Sequence, residues 1–132
     1  MLVKRGAQYP LESKRVVEHG IWMKVRKTES NQLPLRASLG RAAGITLRFN
    51  GRGVRWLCTR TALSTAVVIQ LDDAQAQRVE IRSQATEASA NCFMRVGLAP
   101  GAHTLTIRSA RMPRDGLKQR LLTWHGFEVR NH

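Results

Sequence analysis

Apolar and polar residues alternate along much of the chain after residue 43, and this alternation predicts β-strands. Ile45, Leu47 and Phe49 share one face of a predicted strand. Thr46 and Arg48 lie between them and share the other face. No stretch carries a convincing apolar period of about 3.6 residues, so no long helix is predicted. Further strands are predicted at residues 21–26, 33–39, 54–58, 66–71, 78–82, 92–98, 103–108 and 121–129.

Turn signals separate these strands. Asn50-Gly51 favours positive φ and predicts a turn, and Asp72-Asp73 and Pro100-Gly101 predict two more. Residues 59–65 and 83–91 are predicted as loops, with a short helix as the alternative for the second because it contains several alanines. About eight or nine short strands with such turns are typical of an all-β fold, here a single antiparallel β-sandwich.

The first 20 residues differ from the rest of the chain. Basic residues stand among few apolar ones, and Pro10 breaks any helix. We therefore predict a basic N-terminal arm at residues 1–20 and a β-sandwich domain at residues 21–132. No apolar stretch is long enough for a secretory signal or for a membrane-crossing helix of roughly 18 residues, so we expect cytoplasmic synthesis and no membrane partner. The basic residues of the arm are Lys4, Arg5, Lys14 and Arg15.

The charge of the chain is strongly positive. Lys and Arg number 22 against 9 acidic residues, which gives a net charge of +13. Most of these cations are Arg, whose planar donor fork pairs well with carboxylates and phosphates. This charge predicts an acidic protein assembly or an acidic glycan as the partner. Nucleic acid is disfavoured, because interleaved aromatic residues and the known recognition motifs are missing from the sequence.

Four arginines on the predicted strands define a candidate binding surface. Arg48, Arg82, Arg95 and Arg108 each alternate with apolar residues, so each is expected to point outward from its strand. If several share one sheet, they form a basic face. The alternative is a solvated outer surface with no partner, as would follow from a genome whose composition favours Arg.

Few aromatic side chains are available to stack on a sugar. By alternation, Phe49, Trp124 and Phe127 belong to the core, and Trp56 joins them. The exposed candidates for stacking that remain are Tyr9 and Trp22, with Phe93 as a weaker third.

The sequence contains no catalytic or metal-binding motif. No Gly-x-Ser-x-Gly is present, so we predict no enzyme activity and no cofactor. His103 and His125 are interpreted as structural strand residues. The spacing of Cys58 and Cys92 cannot say whether they are bridged; two buried thiols are favoured over a disulfide. Neither cysteine has a neighbouring ligand at zinc-like spacing, so no metal site is predicted.

Four segments of the chain, three at turns and one in the closing strand, form an ordered set of motifs. They are Phe49-Asn50-Gly51-Arg52-Gly53-Val54, Ile69-Gln70-Leu71-Asp72-Asp73, Leu98-Ala99-Pro100-Gly101-Ala102-His103-Thr104-Leu105 and Gly126-Phe127-Glu128-Val129. In order and spacing they resemble the galactose-binding-like jelly roll, in particular the accessory β-sandwich found beside SGNH-type carbohydrate esterases. The resemblance covers about residues 40–130 and implies a jelly-roll fold and a link to carbohydrates. The Ser motif of the esterase domain is absent, and Asp73 stands where the family usually has Gly.

Two functions from different classes fit these observations. The favoured one is a non-catalytic structural module that docks, in several copies, through its arm and Arg-rich surface onto a larger acidic assembly such as a phage-like particle. The alternative is a carbohydrate-binding module, detached from or accessory to an esterase, for which an acidic polysaccharide is one ligand class.

Overall fold

The computed structural model describes residues 8–9, 15–25, 35–39, 43–110 and 121–131. Within these ranges the chain forms twelve β-strands and no helix. The strands are β1 (Gln8–Tyr9), β2 (Val16–His19), β3 (Met23–Val25), β4 (Leu35–Ser38), β5 (Gly44–Asn50), β6 (Gly53–Arg60), β7 (Val67–Leu71), β8 (Gln77–Val79), β9 (Glu87–Arg95), β10 (Ala102–Ser109), β11 (Leu122–Trp124) and β12 (Gly126–Arg130).

The strands form three sheets in which every paired strand of the described residues is antiparallel. A four-stranded sheet has the order β1-β12-β6-β9, and a five-stranded sheet has the order β2-β5-β10-β7-β8. A three-stranded sheet, β11-β4-β3, completes the fold. The all-β, antiparallel sandwich predicted from the sequence is confirmed; the jelly-roll topology stays a prediction.

Buried side chains from all three sheets form one hydrophobic core. Trp56, Trp124, Phe49 and Phe127 are its largest fully buried members, as alternation along the strands predicted. Burying a large apolar side chain contributes about 2 kcal/mol relative to leaving it in water. These inward rows therefore fix which residues of each strand face outward.

The strand pair β6–β9 contains a bulge at Cys92. Trp56 pairs with Phe93, whereas Leu57 pairs with Asn91, so Cys92 is an extra residue in β9. An extra residue shifts the alternation of faces by one position. Cys92 and Phe93 are consequently both buried, and the prediction of Phe93 as an exposed aromatic residue is wrong.

Cys58 and Cys92 form a disulfide, with their Cα atoms 5.9 Å apart. The prediction that favoured two buried thiols is therefore wrong. The bridge joins neighbouring strands β6 and β9 and spans 34 residues of sequence. Strand register, which the linear spacing does not contain, brings the two residues together.

The bounds of several strands and loops differ from those predicted from the sequence. The predicted loop at 83–91 is wrong for its second half, since β9 begins at Glu87, and the alternative of a short helix there is wrong as well. β8 ends at Val79, so Arg82 lies beyond the strand on which it was predicted. His125 separates β11 from β12 at the point where the chain passes from the three-stranded to the four-stranded sheet.

Part of the segment predicted as an arm is built into the sheets. Tyr9 pairs with Phe127 in the four-stranded sheet, and Val16 pairs with Leu47 in the five-stranded sheet. Of the basic residues assigned to the arm, the structure describes Arg15; Lys4, Arg5 and Lys14 lie outside the described residues. Among the described residues there is no helix that could cross a membrane.

The turn between β5 and β6 depends on close backbone approach. A Cβ atom at Gly51 would lie 2.5 Å from the carbonyl oxygen of Arg130 and 2.7 Å from Cγ1 of Val129. The turn was predicted from the tendency of Asn-Gly to take positive φ. That reason is wrong, because the described residues with positive φ are Gly20, Gly97, Gly101 and Asp72.

Candidate functional site

The outward side chains of β5, β10 and β7 form one polar surface, which we call the polar face. Cross-strand partners in an antiparallel sheet point to the same side. Thr46 pairs with Thr106, and Thr106 pairs with Gln70, so these three form one row across the sheet. Arg48 pairs with Thr104 in a second row. The polar face is defined as Thr46, Arg48, Gln70, Thr104, Thr106 and Arg108.

Arg48 and Arg108 are the two cations of the polar face, and both are exposed. Arg108 pairs with Gly44 on one side and with Val68 on the other, so small or apolar neighbours flank it. Arg48 sits beside Thr104. Within the part of the chain that the structure describes, neither guanidinium has a hydrogen-bond or ion-pair partner. Both are therefore available to an acidic ligand.

Other arginines are already engaged by carboxylates. Arg36 bonds Glu18, and Arg55 bonds Glu128 across the β6–β12 pair. A more open pair joins Arg60 Nη1 to Glu87 at 3.7 Å. These ion pairs separate structural arginines from those of the polar face, a division that the net charge alone does not reveal.

The structure brings together two of the four arginines predicted to form a basic face. Arg82 is exposed in the segment after β8 and lies on no strand. Arg95 lies at the end of β9, 5.6 Å above the ring of Phe93, and its Nη2 donates to Oε1 of Gln77 at 3.5 Å. The bulge at Cys92 turns Phe93 toward the core, and Arg95, two residues later, points to the same side and reaches Gln77 of the five-stranded sheet.

Two further arginines lie next to the polar face. The carbonyl of Arg15 accepts a hydrogen bond from the backbone N–H of Arg48 at 3.1 Å, which places this arm residue beside the face. Arg78 of β8 pairs with Val68 and continues the row of Arg108. Arg78 was not among the predicted site residues, although its alternation with Val79 gave a usable signal.

Of the two predicted sugar-stacking side chains, the structure describes that of Trp22. Trp22 is half-buried, packs against the core and donates its indole N–H to the carbonyl of His19 at 2.8 Å. The side chain of Tyr9 lies outside the described part of the structure. The polar face itself carries no Trp, Tyr or Phe. It can hold a ligand by hydrogen bonds and charge, and not by ring stacking.

His103 and Asp72 form a second polar cluster, at the turn after β7. The Nδ1 of His103 lies 2.6 Å from Oδ2 of Asp72, and its Nε2 lies 2.6 Å from the carbonyl oxygen of Ala99. Both ring nitrogens face acceptors, so the doubly protonated imidazolium suits this position. The hydrogen bond to Asp72, followed by that to Ala99, raises the pKa of His103.

The same cluster stabilises the charged form of Asp72. Partial burial opposes ionisation, but the hydrogen bonds from His103 and from the backbone N–H of Thr104, at 2.7 Å, outweigh it and lower the pKa of Asp72. A general base needs a free imidazole nitrogen, and here the carbonyl of Ala99 occupies Nε2. The cluster therefore joins the turn after β7, which holds Asp72, to the turn before β10, which holds Ala99. It does not have the geometry of a catalytic pair.

Two other features offer less to a ligand. A groove on the four-stranded sheet is lined by the Arg55–Glu128 ion pair, by exposed Met94 and Val96, and by Arg130, so two of its three charges satisfy each other. His125 is buried and its Nε2 lies 2.6 Å from the hydroxyl of Thr59, away from solvent. Among the described residues no group of three or more His, Cys, Asp or Glu could hold a metal ion.

Comparison with known proteins gives a fold and no close relative. No family model matches the chain, and no curated protein sequence matches it. The fold is similar to that of a family two carbohydrate esterase from Cellvibrio japonicus, with a TM-score of 0.63 and 6% identity over 96% of this chain. It is also similar to a two-domain esterase active on acetylated mannans, with a TM-score of 0.66 and 11% identity over 97% of this chain.

A second structure of that two-domain esterase, co-crystallised with mannopentaose, gives a TM-score of 0.61 and 14% identity over 95% of this chain. This chain spans only 33% to 37% of the length of these esterase chains. Its structural neighbours are thus carbohydrate esterases, as the sequence resemblance implied, and it corresponds to about a third of each.

Proposed function

We propose that this chain is a non-catalytic accessory domain that holds a polysaccharide. One observation carries the proposal: nearly the whole chain, 95% to 97% of it, matches about a third of carbohydrate esterase chains. A domain that accompanies an esterase can contribute by keeping the enzyme on its polymeric substrate. The neighbours act on acetylated mannans in two of the three structures, so polysaccharide is the ligand class to test first.

The described side chains support a binding role over a catalytic one. The carbonyl of Ala99 engages the nitrogen with which His103 would act as a base. His125, the other histidine on the closing strands, is buried. The polar face, in contrast, presents hydroxyl, amide and guanidinium groups to solvent, and these are the groups that bond sugar hydroxyls and carboxylates.

Docking onto an acidic assembly, the function favoured by the sequence, gains no support from the structure or from the comparisons. Part of its basic arm is described as strands within the sheets. Two of its four strand arginines lie away from the polar face. The acidic protein partner stays a prediction, and we do not carry it forward as the proposed function.

The experiment is retention of the purified chain on immobilised polysaccharides, together with an acetyl-release assay. Acetylated mannan, deacetylated mannan and polygalacturonate are compared at about 0.15 M salt, where charges separated by more than roughly 8 Å are screened. The control is the same chain reduced and unfolded, because its net charge is unchanged. We expect retention of the folded chain on at least one polymer and no acetyl release. Equal retention of the unfolded chain, retention on none of the polymers, or acetyl release would overturn the proposal.

A further inference from the structure

We propose that the polar face binds a carboxylated polysaccharide, with Arg48 and Arg108 pairing with its uronate groups. The inference rests on the proposed function, because it takes the ligand to be a polysaccharide. It adds the chemical class of that ligand and the residues that recognise it. The two arginines are widely spaced, have no partner among the described residues, and have polar groups between them.

The two arginines stand at opposite ends of one flat surface. Arg48 is opposite Thr104, and Arg108 is four residues further along β10. Strands rise by about 3.4 Å per residue, so the Cα rows of the two arginines are about 14 Å apart. At this separation the two guanidinium groups can engage two separate charges of a repeating polymer.

The surface between the arginines suits the uncharged part of such a polymer. Thr46, Thr106 and Gln70 lie in one row across β5, β10 and β7. Hydroxyl and amide groups can each donate and accept hydrogen bonds, as sugar hydroxyls do. Val17 of β2 continues this row beside Thr46, and Nε2 of His19, from the neighbouring row, lies 3.0 Å from the hydroxyl of Thr46.

The charge distribution favours an anionic ligand at this face. The carboxylate that follows β7, Asp72, is held by His103 and Thr104. Glu18 of β2 bonds Arg36 and Trp124 on the three-stranded sheet. Asp73 and Glu80 lie beyond the ends of β7 and β8. The two guanidinium groups therefore keep their charge unneutralised within the described residues.

A carboxylate fits these groups better than a neutral sugar does. Guanidinium and carboxylate form paired, charge-assisted hydrogen bonds about twice as strong as neutral ones. Neutral glycans rely on aromatic stacking, and every described Trp and Phe is buried or half-buried. Nucleic acid is the competing polyanion, but single-strand binding also needs aromatic platforms.

The test measures affinity of the full chain for oligogalacturonate by isothermal titration calorimetry. The face variant is R48Q/R108Q, and the matched control is R52Q/R82Q, which removes the same charge at exposed positions outside the polar face. A third variant, R48K/R108K, keeps the charge but loses the paired geometry. Thermal unfolding of each variant verifies that the sandwich is intact.

We expect the face variant to bind at least about tenfold more weakly, the control within about threefold of the wild type, and the lysine variant between them. Equal losses in the face variant and the control would overturn the inference, because net charge alone would then explain binding. Tighter binding of a single-stranded oligonucleotide, lost in the same face variant, would also overturn it. Binding to acetylated mannan without binding to oligogalacturonate would reject the inference and leave the proposed function standing. Binding to no polysaccharide would reject both.

Discussion

Glu18 and Arg36 form a two-point ion pair that fastens β2 to the three-stranded sheet. Nε and Nη2 of Arg36 donate to the two carboxylate oxygens of Glu18 at 2.9 and 2.8 Å. The indole N–H of buried Trp124 donates to the same carboxylate at 2.8 Å. One carboxylate thus joins three strands from two sheets, and its hydrogen bond raises the pKa of Arg36.

Replacing this carboxylate should destabilise the fold. Glu18→Gln removes the charge from a half-buried pair and leaves Arg36 without its counter-charge, so we expect the free energy of unfolding to fall by about 2 kcal/mol. Urea unfolding measures it. The control is Glu87→Gln, whose more exposed pair with Arg60, at 3.7 Å, should cost less than about 0.5 kcal/mol. Equal small losses in both variants would contradict the role given to Glu18.

The pair of His103 and Asp72 predicts a pH dependence of stability with a definite sign. The raised pKa of His103 gives stability that is fully present below the unfolded value near 6.5 and lost as the pH rises through the folded pKa. The lowered pKa of Asp72 gives stability that is present above its unfolded value near 3.8 and lost as the pH falls through the folded pKa. The pair therefore stabilises the protein most between these two values.

His103→Gln should abolish the loss of stability that the wild type shows as the pH rises through the pKa of His103. We expect the difference in unfolding free energy between the wild type and the variant to be largest at about pH 5 to 6 and to shrink toward pH 9. Urea titrations across this range measure the difference. A difference that stays constant from pH 5 to pH 9 would show that folding does not raise the pKa of His103.

The Cys58–Cys92 bridge should contribute strongly to stability. A loop closed by residues 34 apart in sequence constrains the unfolded chain, and such bridges typically contribute about 3 kcal/mol. We expect C58S/C92S, or reduction of the wild type, to lower the midpoint of thermal unfolding. Reduction of the C58S/C92S variant serves as the control and should change nothing. An unchanged midpoint on reducing the wild type would mean that the bridge does not form in solution.

The turn at Gly51 has no room for a side chain. Gly51→Ala would place a Cβ within 2.5 Å of the carbonyl oxygen of Arg130, so the end of β12 must shift. We expect the free energy of unfolding to fall by about 2 to 3 kcal/mol, as is typical when an added group is forced against the backbone. The control is Gly97→Ala, at a residue with φ of 75° where an added Cβ would have nothing within 4 Å. We expect this substitution to lower the free energy of unfolding by about 1 kcal/mol, from backbone strain alone. A smaller loss at Gly51 than at Gly97, in chemical unfolding, would refute the steric argument.

Alternation predicted the faces of regular strands and failed where a strand is irregular. Phe49 and Ile45 pointed inward and Arg48 outward on β5, where pairing with β10 is unbroken. On β9 the bulge at Cys92 places every later side chain on the face opposite to the one that simple alternation predicts. Alternation therefore predicted the wrong face for Arg95. A bulge is a property of the pairing between two strands, so one strand read alone does not contain it.

The same limit applies to the candidate site. Arg48 and Arg108 were identifiable as outward residues, but their place on neighbouring strands depends on the order of the five-stranded sheet. Arg55 and Arg36 form ion pairs with carboxylates of residues that are far apart from them in sequence, so the sequence alone does not show these pairs. The residue types suited to binding were predictable from the sequence. Which arginines are free to contact a ligand depends on the ion pairs formed in the folded chain.

NMR mapping tests most directly whether the polar face of the five-stranded sheet binds a carboxylated polysaccharide. Backbone amide shifts of the 14.8 kDa chain are followed during titration with oligogalacturonate. We predict that the perturbed amides cluster on the strands of the polar face, Gly44–Asn50, Val67–Leu71 and Ala102–Ser109. Perturbations confined to the four-stranded sheet around Met94 and Glu128, or no perturbation at all, would contradict it.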